Sequence, residues 1–115
     1  MNKLLKYKAQ WEALTIKIGM YKTEEEQLAA VQLVGLAIKY INNPSEAVQL
    51  EAVKKYGLAI KYINNPSEAV QLATVKQVGL AIQYINNPSE KVVLAALEQN
   101  SDALEYIDPK WFQDK

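Results

Sequence analysis

A unit of 22 residues recurs through this chain with few changes, and it limits the folds open to the chain. Residues 36–57 and 58–79 agree at 18 of 22 positions, and residues 80–101 agree with 58–79 at 14 of 22. A fixed period of this length is typical of stacked repeat proteins, in which each unit buries its apolar side against its neighbours. The repeat therefore predicts an elongated stack of similar units.

Each unit is predicted to contain a long helix and a short helix. Around residues 43–63, Asn43 is a suitable N-cap and Pro44 suits the first helical position. Glu46 stands three residues after that cap, as in a capping box. Gly57 is expected to end the long helix as a left-handed C′ residue, and the following LAIKYI to form the short helix.

The apolar residues of the long helix cover an unusually wide arc of the helical wheel. They span roughly 200°, whereas the stripe on an ordinary surface helix is only somewhat wider than about 100°. The residues on this arc are Val48, Leu50, Ala52, Val53 and Tyr56. A helix of this kind is buried on two or three sides, as it would be between neighbours in a stack.

The predicted fold is all-α, a short α-solenoid of 22-residue helix-turn-helix repeats with degenerate end caps. The pattern extends upstream, where Thr23 and Glu26 have the spacing of a capping box. We divide the chain into an N-terminal cap (1–22), a helical repeat array (23–107) and a C-terminal cap (108–115). Terminal repeats are expected to differ from the others because solvent wets one of their sides.

The unit resembles the helical repeat called domain of unknown function 4116. The family pattern V-L-x-A-V-K-x-x-G-x-A-L-x-Y is carried by residues 72–84 and, in part, by residues 92–100. The resemblance covers residues 23–107 and implies an all-helical repeat array, often encoded by bacteria and viruses, with no known activity. The sequence departs from the pattern at Ser101, which replaces the unit glycine, and at three glutamines where the family usually has an apolar residue: Gln27, Gln49 and Gln71.

Composition excludes several kinds of functional site. The chain has no Cys and no His, so disulfides, Cys/His zinc sites and Ser-His-Asp triads are impossible. All 13 basic residues are lysines, and 13 acidic residues balance them. A neutral chain without Arg is not expected to bind nucleic acid directly. With no Gly-rich phosphate loop and no convergent pair of carboxylates, we expect neither an enzyme nor a cofactor.

The N-terminal segment does not have the pattern of a signal peptide, because Lys and other polar residues interrupt every candidate apolar run. No stretch approaches the roughly 18 apolar residues needed to cross a bilayer. We therefore expect a soluble cytoplasmic protein without a membrane partner.

The glutamines that depart from the family pattern occupy one position of the unit, near the centre of the apolar arc. Buried amides need hydrogen-bond partners. We expect a ladder in which each Gln bonds a backbone carbonyl or the next Gln and so fixes the register of the repeats. The alternative is a polar groove for a peptide backbone.

Two further columns fall on the short helices. The tyrosine rings are expected to pack between units with their hydroxyls at a polar rim; the alternative is a row of hydroxyls on a binding face. The members of this tyrosine column are Tyr40, Tyr62, Tyr84 and Tyr106. The other column is expected to be exposed and changes from positive to negative along the array. Its members are Lys39, Lys61, Gln83 and Glu105.

The two ends of the chain differ in charge. Residues 1–22 carry five Lys and one acid, and residues 98–115 carry five acids and two Lys. Such polarity could favour head-to-tail association, which makes rings or filaments. Trp11, Trp111 and Phe112 lie in the caps and are expected to cover the apolar sides of the terminal repeats.

The pattern favours a non-enzymatic protein–protein interaction module with an unidentified protein partner. The predicted contact residues are Lys39, Lys61, Gln83, Tyr40, Tyr62, Tyr84, Lys54, Lys55 and Lys76. The alternative is a structural or scaffold repeat that assembles with copies of itself. A narrower hypothesis rests on small size and a Lys-, Asn- and Ile-rich composition typical of AT-rich genomes: a phage inhibitor of a bacterial defence complex, anti-CRISPR-like in manner.

Overall fold

The computed structural model describes residues 3–15 and 23–113, and the described chain is helical with no β-strand. The α-helices are α1 (Lys8–Thr15), α2 (Glu24–Leu33), α3 (Glu46–Lys55), α4 (Glu68–Gln77) and α5 (Glu90–Gln99). The 3₁₀ helices are η1 (Lys3–Tyr7), η2 (Gly35–Tyr40), η3 (Gly57–Tyr62), η4 (Gly79–Tyr84), η5 (Ser101–Tyr106) and η6 (Pro109–Phe112). Each predicted short helix in the array is thus a six-residue 3₁₀ helix.

The helices form two rows. The long helices α2 to α5 each contact the next one along the chain, and the short helices η2 to η5 do the same. The molecule measures 61 × 32 × 16 Å, and its radius of gyration is 16.2 Å, compared with about 13 Å for a compact domain of this length. Successive repeats therefore lie side by side, and the prediction of a short α-solenoid is confirmed.

The predicted end caps are only partly described. The N-terminal cap contributes η1 and α1, and α1 packs on α2 and η2; residues 1–2 and 16–22 of that cap lie outside the described residues. In the C-terminal cap, η6 follows the array, and residues 114–115 lie outside the described residues. No described helix is both long enough and apolar enough to span a bilayer.

Equivalent apolar residues build one continuous core along the array. Each short helix of a complete repeat buries an Ala-Ile pair, such as Ala59 and Ile60, and the isoleucine after the helix is buried as well. The long helices add Val48, Ala52 and Val53 and their equivalents. Burial on two sides of the long helix is what the wide apolar arc predicted.

Tyr56 is an exception to that arc. It was predicted to lie on the apolar side of α3, but its side chain is exposed. The helix ends at Lys55, and Tyr56 adopts an extended conformation with φ −152° and ψ 103°. A helical wheel does not apply to a residue beyond the helix end, so the predicted arc is one residue too wide.

The long helices begin two residues later than the sequence predicted, and the capping box assigned to Glu46 is wrong. Ser45 is the N-cap of α3, and its Oγ accepts a hydrogen bond from the Val48 N–H at 3.3 Å. Ser67 and Ser89 cap α4 and α5 in the same way. The capping box predicted at α2 is confirmed, because Thr23 and Glu26 bond each other's backbone N–H groups.

The second Asn of each Asn-Asn-Pro-Ser segment has a different role from the one predicted. Asn43, Asn65 and Asn87 are not N-caps; they adopt left-handed backbone conformations, with φ of 49–50°. Each of these residues lies in the bend between a short helix and the next long helix. Asn tolerates the left-handed conformation better than other residues with a Cβ atom, since its short polar side chain can bond locally.

Replacement of Asn65 tests this assignment. Asn65→Ala is expected to lower the free energy of unfolding by about 1 kcal/mol, because Ala pays the steric cost of the left-handed region. Asn65→Gly is expected to cost less than Asn65→Ala, since Gly reaches this region freely. Urea unfolding followed by circular dichroism measures both. A less stable Gly variant than Ala variant would contradict the left-handed role.

Gly57 does not end α3 as a left-handed residue, so that prediction is wrong. Tyr56 is the C-cap and donates its N–H to the Ala52 carbonyl, and Gly57 opens η3 without a left-handed φ. Glycine is needed at this position of the unit, which Gly35 also occupies, because the backbone or a side chain of the next repeat lies close to it. A Cβ on Gly35 would lie 2.7 Å from the Ala52 carbonyl oxygen, which is a contact with rigid backbone.

Two alanine substitutions separate close packing from helix capping. Gly35→Ala is expected to lower the free energy of unfolding by about 2 kcal/mol, because the backbone of α3 must move. Gly57→Ala is expected to cost less, since the nearest atom to its new Cβ is a methyl group of Val78, at 2.9 Å, and a side chain can shift. Urea denaturation of both variants provides the comparison. Equal costs, or a larger cost at Gly57, would contradict the packing explanation.

Candidate functional site

The tyrosine column lies on the outer surface of the short-helix row, where its rings are partly buried and partly exposed. Tyr62 is 40% exposed and Tyr84 41% exposed, while Tyr40 is half-buried. In η3 and the residue after it, Ala59, Ile60 and Ile63 take the core positions. The two residues between these isoleucines, Lys61 and Tyr62, therefore lie at the surface. The same holds for the corresponding pairs of the other short helices.

Lysines and tyrosines alternate along this surface. The Lys39 ammonium lies 5.3 Å from the ring centroid of Tyr40 and 5.6 Å from that of Tyr62. The Lys61 ammonium lies 5.7 Å from the Tyr62 centroid and 5.4 Å from the Tyr84 centroid. We call these five residues the tyrosine–lysine ladder. Each ammonium group lies between rings of two successive repeats.

The ladder restrains side chains that would otherwise be free at the surface. A cation–π contact at an exposed site is worth about 0.5–1 kcal/mol. Two such contacts per lysine favour one arrangement of a long, flexible side chain, although each remains exposed. The ammonium groups therefore favour positions between the rings before any partner arrives.

The ladder stops after two repeats. Gln83 replaces the lysine in the third, and its side chain donates to the Leu80 carbonyl at 3.0 Å. Glu105 occupies the equivalent position of the next short helix. All four members of the predicted charge row are exposed, which confirms that part of the prediction. Positive charge on this face is thus confined to the N-terminal half of the array.

A cleft opens beside each lysine of the ladder. The first cleft, of about 560 Å³, is lined in part by Lys39, Asn42, Gln49, Tyr62 and Asn64. The second, of about 600 Å³, repeats this lining with Lys61, Asn64, Gln71, Tyr84 and Asn86. Neither lining includes an acidic residue. The same set of amide, ammonium and phenol groups is presented twice, one repeat apart.

The glutamines behind the clefts hold the Asn-Asn-Pro-Ser segments in place. Gln49 donates its Nε2–H to the Pro44 carbonyl at 2.9 Å, and Gln71 does the same with Pro66. The predicted bond to a backbone carbonyl is therefore confirmed at these two positions. The bond stays within one repeat, however, so it fixes the loop that lines the cleft and not the register between repeats.

Other polar contacts link one repeat to the next, and sequence reasoning missed them. Gln77 donates to the Val53 carbonyl of the preceding repeat at 2.8 Å. Gln99 occupies the equivalent position one repeat later, and its Oε1 accepts the backbone N–H of Gly79. The only signal in the sequence was that these two glutamines are 22 residues apart.

A third cleft, of about 190 Å³, is smaller because the C-terminal cap fills part of it. Its lining includes Tyr106, Asp108, Lys110 and Trp111. Trp111 is half-buried and packs against the core, as expected for a cap residue. This cleft has an acidic residue in its lining and lacks Gln83, so it does not repeat the chemistry of the other two.

The remaining predicted contact residues lie elsewhere. Lys54 and Lys55 are in the last turn of α3, and Lys76 is in the last turn of α4. All three are exposed, and none lines a cleft described above. The nearest carboxylate oxygen to the Lys54 ammonium is 4.0 Å away, on Glu51. The structure thus brings six of the nine predicted residues to one face and leaves these three outside it.

The asparagines of the clefts were not predicted as functional residues. Asn42, Asn64 and Asn86 belong to segments interpreted from the sequence only as helix caps, yet they are exposed in the cleft linings. An Asn side chain offers both a donor and an acceptor, which is what a peptide group needs. Their recurrence in every repeat was the available signal.

Comparison with known proteins adds no further information on the site. No protein-family model, curated protein or solved structure matches the chain. The resemblance to domain of unknown function 4116 therefore stays a prediction. Among the described residues, no group of three or more acidic side chains is placed to hold a metal ion.

Proposed function

We propose that this protein is a non-enzymatic protein-binding module that holds an extended, acidic segment of a partner protein along the first two clefts. The observation that carries the proposal is the repeated placement of a lysine between two tyrosines beside a cleft that lacks acidic residues. A carboxylate of the partner would pair with each ammonium group. The asparagine amides would bond the partner's backbone.

The repeat spacing suits an extended peptide. Packed helices lie about 8–10 Å apart, and three residues of extended chain span about 10 Å. In a polyproline II conformation, which has three residues per turn and rises about 9 Å in that turn, acidic residues at every third position share one face and would meet Lys39 and Lys61 in turn. The backbone between the two acidic residues would run past Asn64, which lines both clefts.

The tyrosines add contact area that does not depend on charge. Tyr62 and Tyr84 each expose about two fifths of their surface beside a cleft. Aromatic rings of this kind are common at the centres of protein interfaces because they bury large areas at a low cost in conformational entropy. The lysines would select the charge of the segment, and the rings would supply apolar contact.

Charge reversal on the ladder tests the proposal. The probe is a fluorescent decapeptide with Glu at every third position and Ser or Gly between. We expect Lys39→Glu/Lys61→Glu to weaken its binding at least about tenfold, because each lost ion pair contributes up to about 1 kcal/mol and repulsion is added. Fluorescence anisotropy at low salt measures the dissociation constants.

The matched control is Lys54→Glu/Lys76→Glu, which changes the net charge equally but lies outside the clefts. It is expected to bind within about twofold of the wild type. An equal loss in both double variants would mean that only net charge matters and would contradict the cleft. Equal or tighter binding of a decapeptide in which Lys replaces every Glu, or of a single-stranded oligonucleotide with the same charge as the Glu peptide, would also contradict the proposal.

The narrower hypothesis of an anti-CRISPR-like phage inhibitor stays a prediction. It rests on chain size and composition alone, and the clefts do not distinguish a defence nuclease from another protein with an acidic segment. A pull-down from bacterial cells that carry such a system tests it, with the Lys39→Glu/Lys61→Glu variant as the negative control. Recovery of no defence subunit by the wild-type protein would count against it.

A further inference from the structure

The C-terminal end of the array presents a surface that, in the interior of the stack, is covered by another repeat. Leu104 occupies the position of Ile38 and Ile60 in the repeat. Those two isoleucines are 1% exposed, whereas Leu104 is 54% exposed. Leu94 is 55% exposed, while its equivalents Leu50 and Leu72 are half-buried against the core. No described residue covers these two leucines as a following repeat would.

The N-terminal end also exposes large apolar side chains. Trp11 on α1 is 64% exposed, and Leu5 and Tyr7 on η1 are more than half exposed. Trp11 was predicted to cover the apolar side of a terminal repeat, and the same was predicted for Phe112 at the other end. Both predictions are wrong, because Trp11 is 64% exposed and Phe112 is 61% exposed. Each end of the elongated molecule therefore carries an apolar surface rimmed by charge.

The charges at the two ends are opposite. Lys3, Lys6 and Lys8 are exposed beside the apolar residues of η1 and α1. Among the exposed charged side chains of residues 98–110, all but Lys110 are acidic: Glu98, Asp102, Glu105 and Asp108. Two N-terminal ends, or two C-terminal ends, would repel each other, whereas one of each kind would attract.

We propose that the C-terminal end of one molecule binds the N-terminal end of a second copy, so that the solenoid continues from chain to chain. The leucines of the C-terminal end would pack on Leu5 and Trp11 of the second copy, with the lysines and carboxylates paired around them. This contact joins two different surfaces of the same chain. A pair joined in this way keeps one unused surface at each end, so further copies can add to form a linear assembly, or a ring where the two ends meet. The surface is distinct from the clefts, so it can be tested separately.

Complementary variants provide the test. Leu104→Asn disables the C-terminal surface and leaves the N-terminal one intact, and Trp11→Ser does the reverse. We expect the wild type to form larger species as its concentration rises, whereas each variant alone stays a monomer. An equimolar mixture of the two variants is expected to give a dimer of twice the 13.0 kDa chain mass, because one intact surface of each kind remains. Sedimentation velocity at low salt measures all of these species.

Two controls define the result. Tyr56→Ser removes an exposed aromatic ring away from the ends and is expected to assemble like the wild type, and circular dichroism checks that every variant stays helical. In 0.5 M NaCl the wild-type assembly is expected to weaken about tenfold or more, since salt screens exposed charges.

Several outcomes would overturn the proposal. A wild type that stays monomeric at millimolar concentration and low salt has no such contact. A mixture of Leu104→Asn and Trp11→Ser that stays monomeric shows that the two surfaces do not bind each other. If only one of the two variants loses assembly, the contact pairs two identical ends and is not head-to-tail.

Discussion

The contact between neighbouring repeats is the interaction on which the rest of this structure depends. Each repeat is only 22 residues long, too short to enclose a core of its own. The valines of the long helices and the isoleucines of the short helices lose contact with water by packing against neighbouring repeats. The lack of a Cβ at Gly35 allows this approach, since a Cβ would meet the Ala52 carbonyl oxygen of the neighbour. Leu104, in the last repeat, is exposed because no described repeat follows to cover it.

The stack also determines what the surface can do. The core takes the first two and the last positions of each Ala-Ile-Lys-Tyr-Ile segment, so a lysine and a tyrosine must face outwards in register. Repetition then places Lys39 between rings of two repeats, and Lys61 likewise. The bonds from Gln49 and Gln71 hold the intervening loops. The regular spacing of these lysines and amides therefore follows from the stacking of the repeats.

The sequence predicted the architecture well, because the period and the wide apolar arc indicate burial between repeats, and the regular Pro and Gly positions indicate where the helices are separated. It predicted the local backbone less well. Asn43 and Ser45 are both good N-cap residues, and only the path of the loop decides that Asn43 is left-handed and Ser45 is the cap. Gly57 has the spacing of a C′ glycine, but its role depends on the approach of a neighbour. Contacts between repeats cannot be derived from the propensities of one unit.

The candidate site was predicted in part. Alignment of the repeats placed Lys39, Lys61 and the tyrosines in columns, but composition alone favoured buried rings, because Tyr is common in repeat cores. The clefts depend on the gap between adjacent Asn-Asn-Pro-Ser loops, and their asparagines were therefore missed. Lys54, Lys55 and Lys76 shared only charge with the ladder, and charge does not determine which face of the stack a residue occupies.

Removal of one whole repeat tests the central claim most directly. Deletion of residues 58–79 joins Gly57 to Leu80 and makes α3 the neighbour of α5, with nearly the same residue types in contact. If each repeat depends only on its neighbours, the shortened chain will keep its helical content per residue and unfold cooperatively at lower urea. Small-angle X-ray scattering will show it shorter by one helix spacing, about 8–10 Å. Loss of the helical signal, or an unchanged length, would contradict the account.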